Sequence, residues 1–449
     1  MRLSCAMGDY DMASRGQLQA SRPRAINFYD ATVFQIFSLK CIGFLHLDVG
    51  AGNNGDRGWK VLANHVLTAC GVLLIISGIT QIPFATYNFR GVVILTILLL
   101  KRRQWTKLVC LVNRMLFDTF LTRNAAQKKL RQWQVLSIGA AIVTLFLQIV
   151  FETLNNLQYM AIAKKSMMSD GILDPLPLSM LVWQYVVFWT VCSALPFYLS
   201  QQVAICLLVI GKMLADCCRI LTDALAEEME NVKILPGIGS SVVDLHLLKS
   251  ELQRVDALQD AAERVINLKL RYLDMCRVVG YMDHHFGSFI FFLYGLDLLT
   301  MFGSVCSIVE NNDKGIVVVR AYYYVSTVIF ILYCTLFMWP LVMAYEESLK
   351  VNVTLHHFIS KVEAIASLTT MQGRHLHAIL QTFVIASKDR LLLFSGAEIL
   401  HITRTFIFTT FTLLISFIVI TKEVLQRDDS PRSCQTTSVH PLSANRTLM

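Results

Sequence analysis

Four hydroxyls in the last apolar stretch, Thr405, Thr409, Thr412 and Ser416, are spaced four, three and four residues apart. On a helix that spacing puts all four on one face. Around them lie Phe406, Ile407, Phe408, Phe411, Leu413, Leu414, Ile415, Phe417 and Ile418, side chains suited to lipid or to packing. Hydroxyl oxygens can face a partly hydrated ion without the fixed charge that would trap it, so the stripe fits a pore wall. The same hydroxyls also suit close helix packing, or hydrogen bonds back to their own backbone.

A second constellation mixes aromatic and polar side chains. Trp183, Gln184, Tyr185 and Trp189 fall in one apolar segment, and Tyr294, Asp297 and Thr300 in another. Arg320, Tyr322, Tyr323 and Tyr324 open a third, and Gln148 and Glu152 close a fourth. Charge is expensive inside a membrane, which makes Asp297 the sharpest single residue. It reads either as a structural partner of Arg320 near the interface or as a ligand contact. The tyrosines and tryptophans read as interface anchors or as faces that stack on a small molecule. In the binding reading, Trp183, Gln184, Trp189, Tyr294, Asp297, Arg320 and Tyr323 form a pocket for a neutral polar or aromatic ligand.

The elements that position these groups follow from composition. The 449 residues are 55% hydrophobic and 16% charged, well below the ~25% charge of a soluble chain. The apolar residues lie in blocks of roughly 20, the length of a bilayer-crossing helix. Seven spans are predicted, at about 61–84, 85–101, 133–154, 179–205, 285–309, 315–341 and 391–421. Arg90 interrupts the second, which is bounded by the basic stop Lys101-Arg102-Arg103. The first 30 residues lack the apolar core of a signal peptide.

Lys and Arg in the connections set the expected orientation. Seven precede the first span and nine lie between Lys101 and Arg131, whereas the connection 155–178 has only Lys164 and Lys165. The alternation places the N-terminus in the cytosol and the C-terminus outside. It divides the chain into a cytosolic segment 1–60, helices one to four over 61–205 and a cytosolic extension 206–284. Helices five and six follow over 285–341, a second extension over 342–390, the last helix over 391–421 and an extracellular tail over 422–449. In the first extension Leu245, Leu248, Leu252, Val255, Leu258, Ala262 and Val265 form one apolar stripe. The two extensions read as a helical anchor below the membrane, either a solvated bundle within one chain or a shared oligomer contact.

Other function classes find little footing. The net charge of +8 is accounted for by cytosolic connections facing anionic lipid and does not indicate nucleic acid. No phosphate loop, metal-spaced His/Cys cluster or Ser-His-Asp arrangement stands out, so no enzyme activity, cofactor or metal is expected. The adjacent pairs His284-His285 and His356-His357 point in different directions on a helix. The twelve cysteines lack disulfide-type spacing and read as buried or cytosolic thiols. The orientation is opposite to that of G-protein-coupled receptors. No Asp-Arg-Tyr follows the third span and no Asn-Pro-x-x-Tyr lies in the seventh. No matching pair of Gly/Pro-broken spans suggests a transporter with internal repeats.

The inverted seven-span plan, the long extensions of spans four to six and the last span together resemble the insect-type seven-transmembrane chemoreceptor superfamily. Gustatory receptors are the nearer branch and odorant receptors the next. Gustatory receptors carry Thr-Tyr, five apolar residues, then Gln-Phe near the end. Here the corresponding string is Thr409-Thr410-Phe411-Thr412-Leu413-Leu414-Ile415-Ser416-Phe417, in which Thr409 and Phe417 match. The run Phe394-Ser395-Gly396-Ala397-Glu398-Ile399-Leu400-His401-Ile402 resembles the break leading into the family's last helix. The resemblance implies a homo- or heterotetrameric, ligand-gated, non-selective cation channel in the plasma membrane of chemosensory neurons. Its ligand would be a small tastant or odorant. Thr405, Thr409, Thr412 and Ser416 would line the pore, with Ser416 at the position of the family's constricting glutamine and Phe417 or Ile420 closing it by excluding water. The remaining alternatives are an odorant-type subunit needing a co-receptor, and a receptor or transporter without its own pore.

Overall fold

The computed structural model describes residues 28–41, 54–80, 86–119, 123–169, 194–233, 245–310, 317–364 and 371–428. The expectations for Trp183, Gln184 and Trp189, for most of the fourth span and for the tail beyond 428 lie outside these residues. The described helices are α1 (Phe28–Ala31), α2 (Val33–Cys41), α3 (Asn54–Thr80), α4 (Thr86–Leu100), α5 (Arg102–Thr119) and α6 (Arg123–Ser169). They continue with α7 (Leu195–Lys233), α8 (Leu245–Glu310), α9 (Val317–Ala364), α10 (Met371–Asp389) and α11 (Arg404–Asp428). Two short antiparallel strands, β1 (Ser395–Gly396) and β2 (Leu400–His401), sit between α10 and α11.

Stretches long and apolar enough to cross a bilayer lie in α6 (Gln127–Gln158), α8 (Asp256–Ile308), α9 (Val317–Ala364) and α11 (Arg404–Glu423). Ala63–Ile76 in α3 and Phe89–Leu100 in α4 are shorter apolar runs. The chain is an all-α polytopic membrane protein. The 66 residues of α8 span about 100 Å at 1.5 Å per residue, over three times the hydrocarbon thickness. Much of α8 therefore projects beyond the bilayer.

At the centre runs α7, buried almost all round from Val203 to Cys218, as an apolar helix without a polar face must be. Gly211 lets it approach α9 at the in-helix proline. A side chain there would meet Leu341 Cδ2 at 2.9 Å and the Pro340 carbonyl carbon at 3.1 Å. Where α7 leaves the apolar layer, Asp216 accepts hydrogen bonds from Trp133 Nε1 and Lys212 Nζ, both at 2.9 Å, with Lys129 at 3.5 Å. Burial pushes its carboxyl up, but these hydrogen bonds and the two lysine charges hold it below its ordinary value.

Outside that layer the projecting helices are tied by side chains. Arg264 bridges to Glu228 and Lys361 to Glu230, each at 2.7 Å, and Tyr272 Oη donates to the Arg390 carbonyl at 2.8 Å. The thiol reading needs one correction: Cys110, on the half-exposed side of α5, is disulfide-bonded. Residue spacing carries no such signal, because pairing depends on proximity across elements. A second difference concerns the last span. Residues 391–403 are not helical, and the helix starts at Arg404 rather than 391. Ile399 N donates to Gly396 O at 3.1 Å across a turn whose central residues, Ala397 and Glu398, have φ of 55° and 61°.

Candidate functional site

On α11 the hydroxyl stripe emerges on the free side. Thr405, Thr409, Thr412 and Ser416 are all exposed in the single chain, whereas Ile407, Thr410 and Leu414 are buried. At 100° per residue the two sets lie on opposite faces. Only 17% of the apolar window of α11 is buried within the chain, against 33%, 44% and 56% in α6, α8 and α9. The helix is thus held along one side. Thr412 Oγ1 donates back to the Phe408 carbonyl at 3.0 Å, which leaves its oxygen lone pairs outward. Ile420 is 58% exposed and borders the stripe. Phe417 does not share that face: its ring meets Phe302 of α8 edge-on, with centroids 4.9 Å apart.

The buried side of α11 is keyed to α8. Tyr294 Oη donates to Thr410 Oγ1 at 2.7 Å, and Thr410 donates in turn to the Phe406 carbonyl at 2.9 Å. Thr410 stands where the gustatory motif carries tyrosine, one residue off the predicted stripe. Beside this bond Tyr294, Met301, Cys334, Thr335, Ile407, Thr410 and Phe411 enclose a cavity of ≈ 10 Å³, room for about one water and no larger ligand. Tyr294 therefore belongs to the junction between α8 and α11.

Asp297, one turn along α8 from Tyr294, is paired, but with Arg90 of α4 and not with Arg320. Arg90 Nη2 lies 3.2 Å from Asp297 Oδ2, and Arg90 Nε sits against Oδ1. Both side chains are buried. Arg90 Nη1 donates to Ser200 Oγ at 2.6 Å, and the guanidinium lies 5.1 Å from the centre of the Phe197 ring. The charge that interrupts the second span is thus fully engaged inside the bundle, where a lone one would be prohibitive. Arg320 is half-exposed, with no ion pair among the described residues.

From Phe197 an aromatic seam continues outward between α6, α7 and α9. The Phe151 ring lies 6.4 Å from Phe197, 5.9 Å from Phe330 and 5.5 Å from Tyr322, and Tyr322 lies 5.1 Å from Tyr323. Tyr323 Oη accepts from Gln158 Nε2 at 3.2 Å, and Gln148 Nε2 donates to the Ala194 carbonyl at 2.6 Å. Several buried polar atoms on α6 and α7 have no hydrogen-bond partner among the described residues: Gln148 Oε1, Asn156 Oδ1, Gln158 Oε1, Gln201 Nε2 and both amide atoms of Gln202. Of the sequence-predicted ligand residues, the seam gathers Asp297 and Tyr323. It adds Arg90, Phe151, Phe197, Gln158 and Gln201, which sequence reading missed. The polar spacing Gln148, Glu152, Asn155 along α6 was the available signal.

No protein-family model and no curated protein sequence matches the chain. Solved structures do. Olfactory receptor OR5 of the insect Machilis hrabei superposes with a TM-score of 0.57 at 11% identity, covering 88% of this chain and 97% of that one. Its complex with eugenol gives 0.56 at 10% identity with the same coverage. This chain has the fold of the insect olfactory receptor OR5 of Machilis hrabei.

Proposed function

We propose that the chain is a chemosensory receptor subunit that conducts cations through a shared central pore when a small molecule occupies the bundle. One observation carries the reading: the hydroxyl row of α11 faces away from its own subunit. Four such helices around an axis would present oxygen atoms inward and bury the exposed Phe408, Leu413 and Ile415 at their flanks. Ile420 would then be the constricting apolar side chain, since Phe417 is occupied by Phe302. The ligand would lie along the seam from Arg90 to Tyr323, stacked on Phe151 and Tyr322 and hydrogen-bonded by the unpartnered amides. Those amides favour a polar ligand over a purely hydrocarbon one, because leaving them unpaired in an apolar layer costs several kcal/mol. In the preferred reading the receptor is gustatory, acts as a tetramer in the plasma membrane of sensory neurons and has its N-terminus in the cytosol.

Cysteine accessibility tests the pore. Thr409→Cys and Ser416→Cys should react with a membrane-impermeant thiol reagent during ligand application and lose current, whereas Leu414→Cys should not. Unreactive cysteines at both stripe positions would place the row in lipid and remove the conduction proposal. A second reading, an odorant-type subunit working with a co-receptor, is favoured by the olfactory identity of the superposed structures. Ligand-evoked current from the chain expressed alone would argue for the gustatory reading.

A further inference from the structure

The short helix α2 is built inside out for a helix in water. Its outward side chains are Val33, Phe34 and Phe37, the last 65% exposed, whereas Thr32, Gln35 and Lys40 lie buried beside Ile36 and Leu39. At 100° per residue Val33, Phe34 and Phe37 fall within one third of the circumference. A helix resting on a protein in water turns its polar residues outward and its aromatic ones inward. The medium outside α2 is therefore apolar. The inward polar groups are satisfied within the fold. Gln35 Nε2 donates to the Ser137 carbonyl at 3.1 Å, Ser137 Oγ donates back to Gln35 Oε1 at 2.8 Å, and Thr32 Oγ1 donates to the Phe28 carbonyl at 2.9 Å. The Lys40 ammonium lies 5.5 Å from the centre of the Tyr29 ring, reaching back along the chain as a lysine in apolar surroundings does.

Contacts with α6 fix the depth of this helix. Gln134 Nε2 donates to the Asp30 carbonyl at 2.9 Å, and the Gln35–Ser137 pair lies three residues further along α6. The two chains thus advance together into the apolar stretch Gln127–Gln158. Beside these contacts Val135, Ile138, Ile142 and Phe146 form one exposed apolar stripe on α6, the side that a membrane-crossing helix turns to lipid. The outward face of α2 continues that belt. Its nine residues rise about 13 Å, under half of the ~30 Å hydrocarbon thickness. We infer that α2 is a half-membrane helix whose Val33, Phe34 and Phe37 face is covered by the acyl chains of one leaflet, the one in which α6 begins. Residues 33–41 then leave the aqueous segment expected over 1–60, and the amino-terminal region gains a lipid contact of its own.

Photocrosslinking of the full-length chain in cell membranes tests this. The photoreactive amino acid p-benzoylphenylalanine takes the place of Phe37, of Ile142 on the exposed stripe of α6, or of Leu39 on the buried side of α2. After irradiation, the mass of the purified chain shows what each position has captured. The yield of phospholipid adduct at position 37 should lie within about twofold of that at 142 and about tenfold above that at 39. A probe at 37 that joins a second copy of the chain would make the face a subunit contact and overturn the assignment. Joining another segment of its own chain, or remaining unmodified as in water, would overturn it equally. The same probe in place of Phe34, which also projects outward, gives a second reading should the replacement at 37 lower the melting temperature. The readout is lipid contact alone, so it is independent of whether the chain conducts.

Discussion

Arg90 and Asp297 show how one buried pair can decide whether a bundle assembles. Neither charge is tolerable alone at that depth, so removing one strands the other. Arg90→Leu or Asp297→Leu alone should therefore cost about 3–5 kcal/mol and lower both the melting temperature of the purified receptor and its surface expression. The double replacement by leucine should recover most of that loss, because the bundle then buries apolar groups throughout. A double variant as unstable as either single one would mean that the charges also hold Ser200, Gln201 or a ligand. The pairing was not legible in the sequence. Arg90 and Asp297 are 207 positions apart, and the choice between Arg90 and Arg320 depends on which helices pack together. By contrast, the hydroxyl row was legible, because a spacing of four, three and four fixes a common face whatever the helix packs against.

At the scale of elements, the connection into α11 departs most from what residue types suggest. A turn with two positive φ values calls for Asn-Gly or Gly-Gly, yet it is built from Ala397 and Glu398. Its residue types therefore carry no turn signal, so the apolar run from Leu391 reads as part of the span, and only the resemblance of Phe394–Ile402 to a family break pointed to an interruption. Gly287 of α8 makes room for the turn, since a side chain there would meet Ala397 N at 3.1 Å and Ser395 O at 3.4 Å. Asp283, one turn earlier, accepts from Ser395 N at 2.8 Å. The packing of α8 thus keeps an unfavourable backbone in place. Ala397→Gly should release about 1 kcal/mol of left-handed strain and raise the melting temperature. A lower one would show that the alanine methyl group, which is half-buried, matters more than the strain. The long helices were easier to read, since α6, α8 and α9 each carry an apolar block within a polar extension.

For the whole molecule, the direction in which the chain is threaded decides which connections meet the cytosol. The alternation of basic and basic-poor connections gives one answer. An epitope after Met449 should be reachable by antibody on intact cells, and one before Met1 only after permeabilisation. The reverse pattern would void the orientation reading. Fold class was legible from hydrophobic block length, because the bilayer sets that length directly, and membrane-length blocks lie in α6, α8, α9 and α11. The interior of the bundle was not, since a buried amide and a lipid-facing one look alike along the chain.

The attachment of α11 at its first turn, beside the contacts of Thr410 and Phe417 along one side, has a mechanical consequence. Thr403 Oγ1 accepts from Phe406 N at 3.2 Å, Arg404 Nη2 bonds Glu346 Oε2 at 2.5 Å, and the guanidinium lies 5.5 Å from the centre of the Trp339 ring. Those contacts make the first turn a fulcrum. Ser416, twelve residues along, sits on a lever arm of about 18 Å. A lean of about 5° about the fulcrum, with Phe417 sliding on Phe302, would carry it roughly 1.5 Å sideways, while Thr405 would scarcely move. In a pore of the kind proposed, aperture would then be regulated at the far end of the arm.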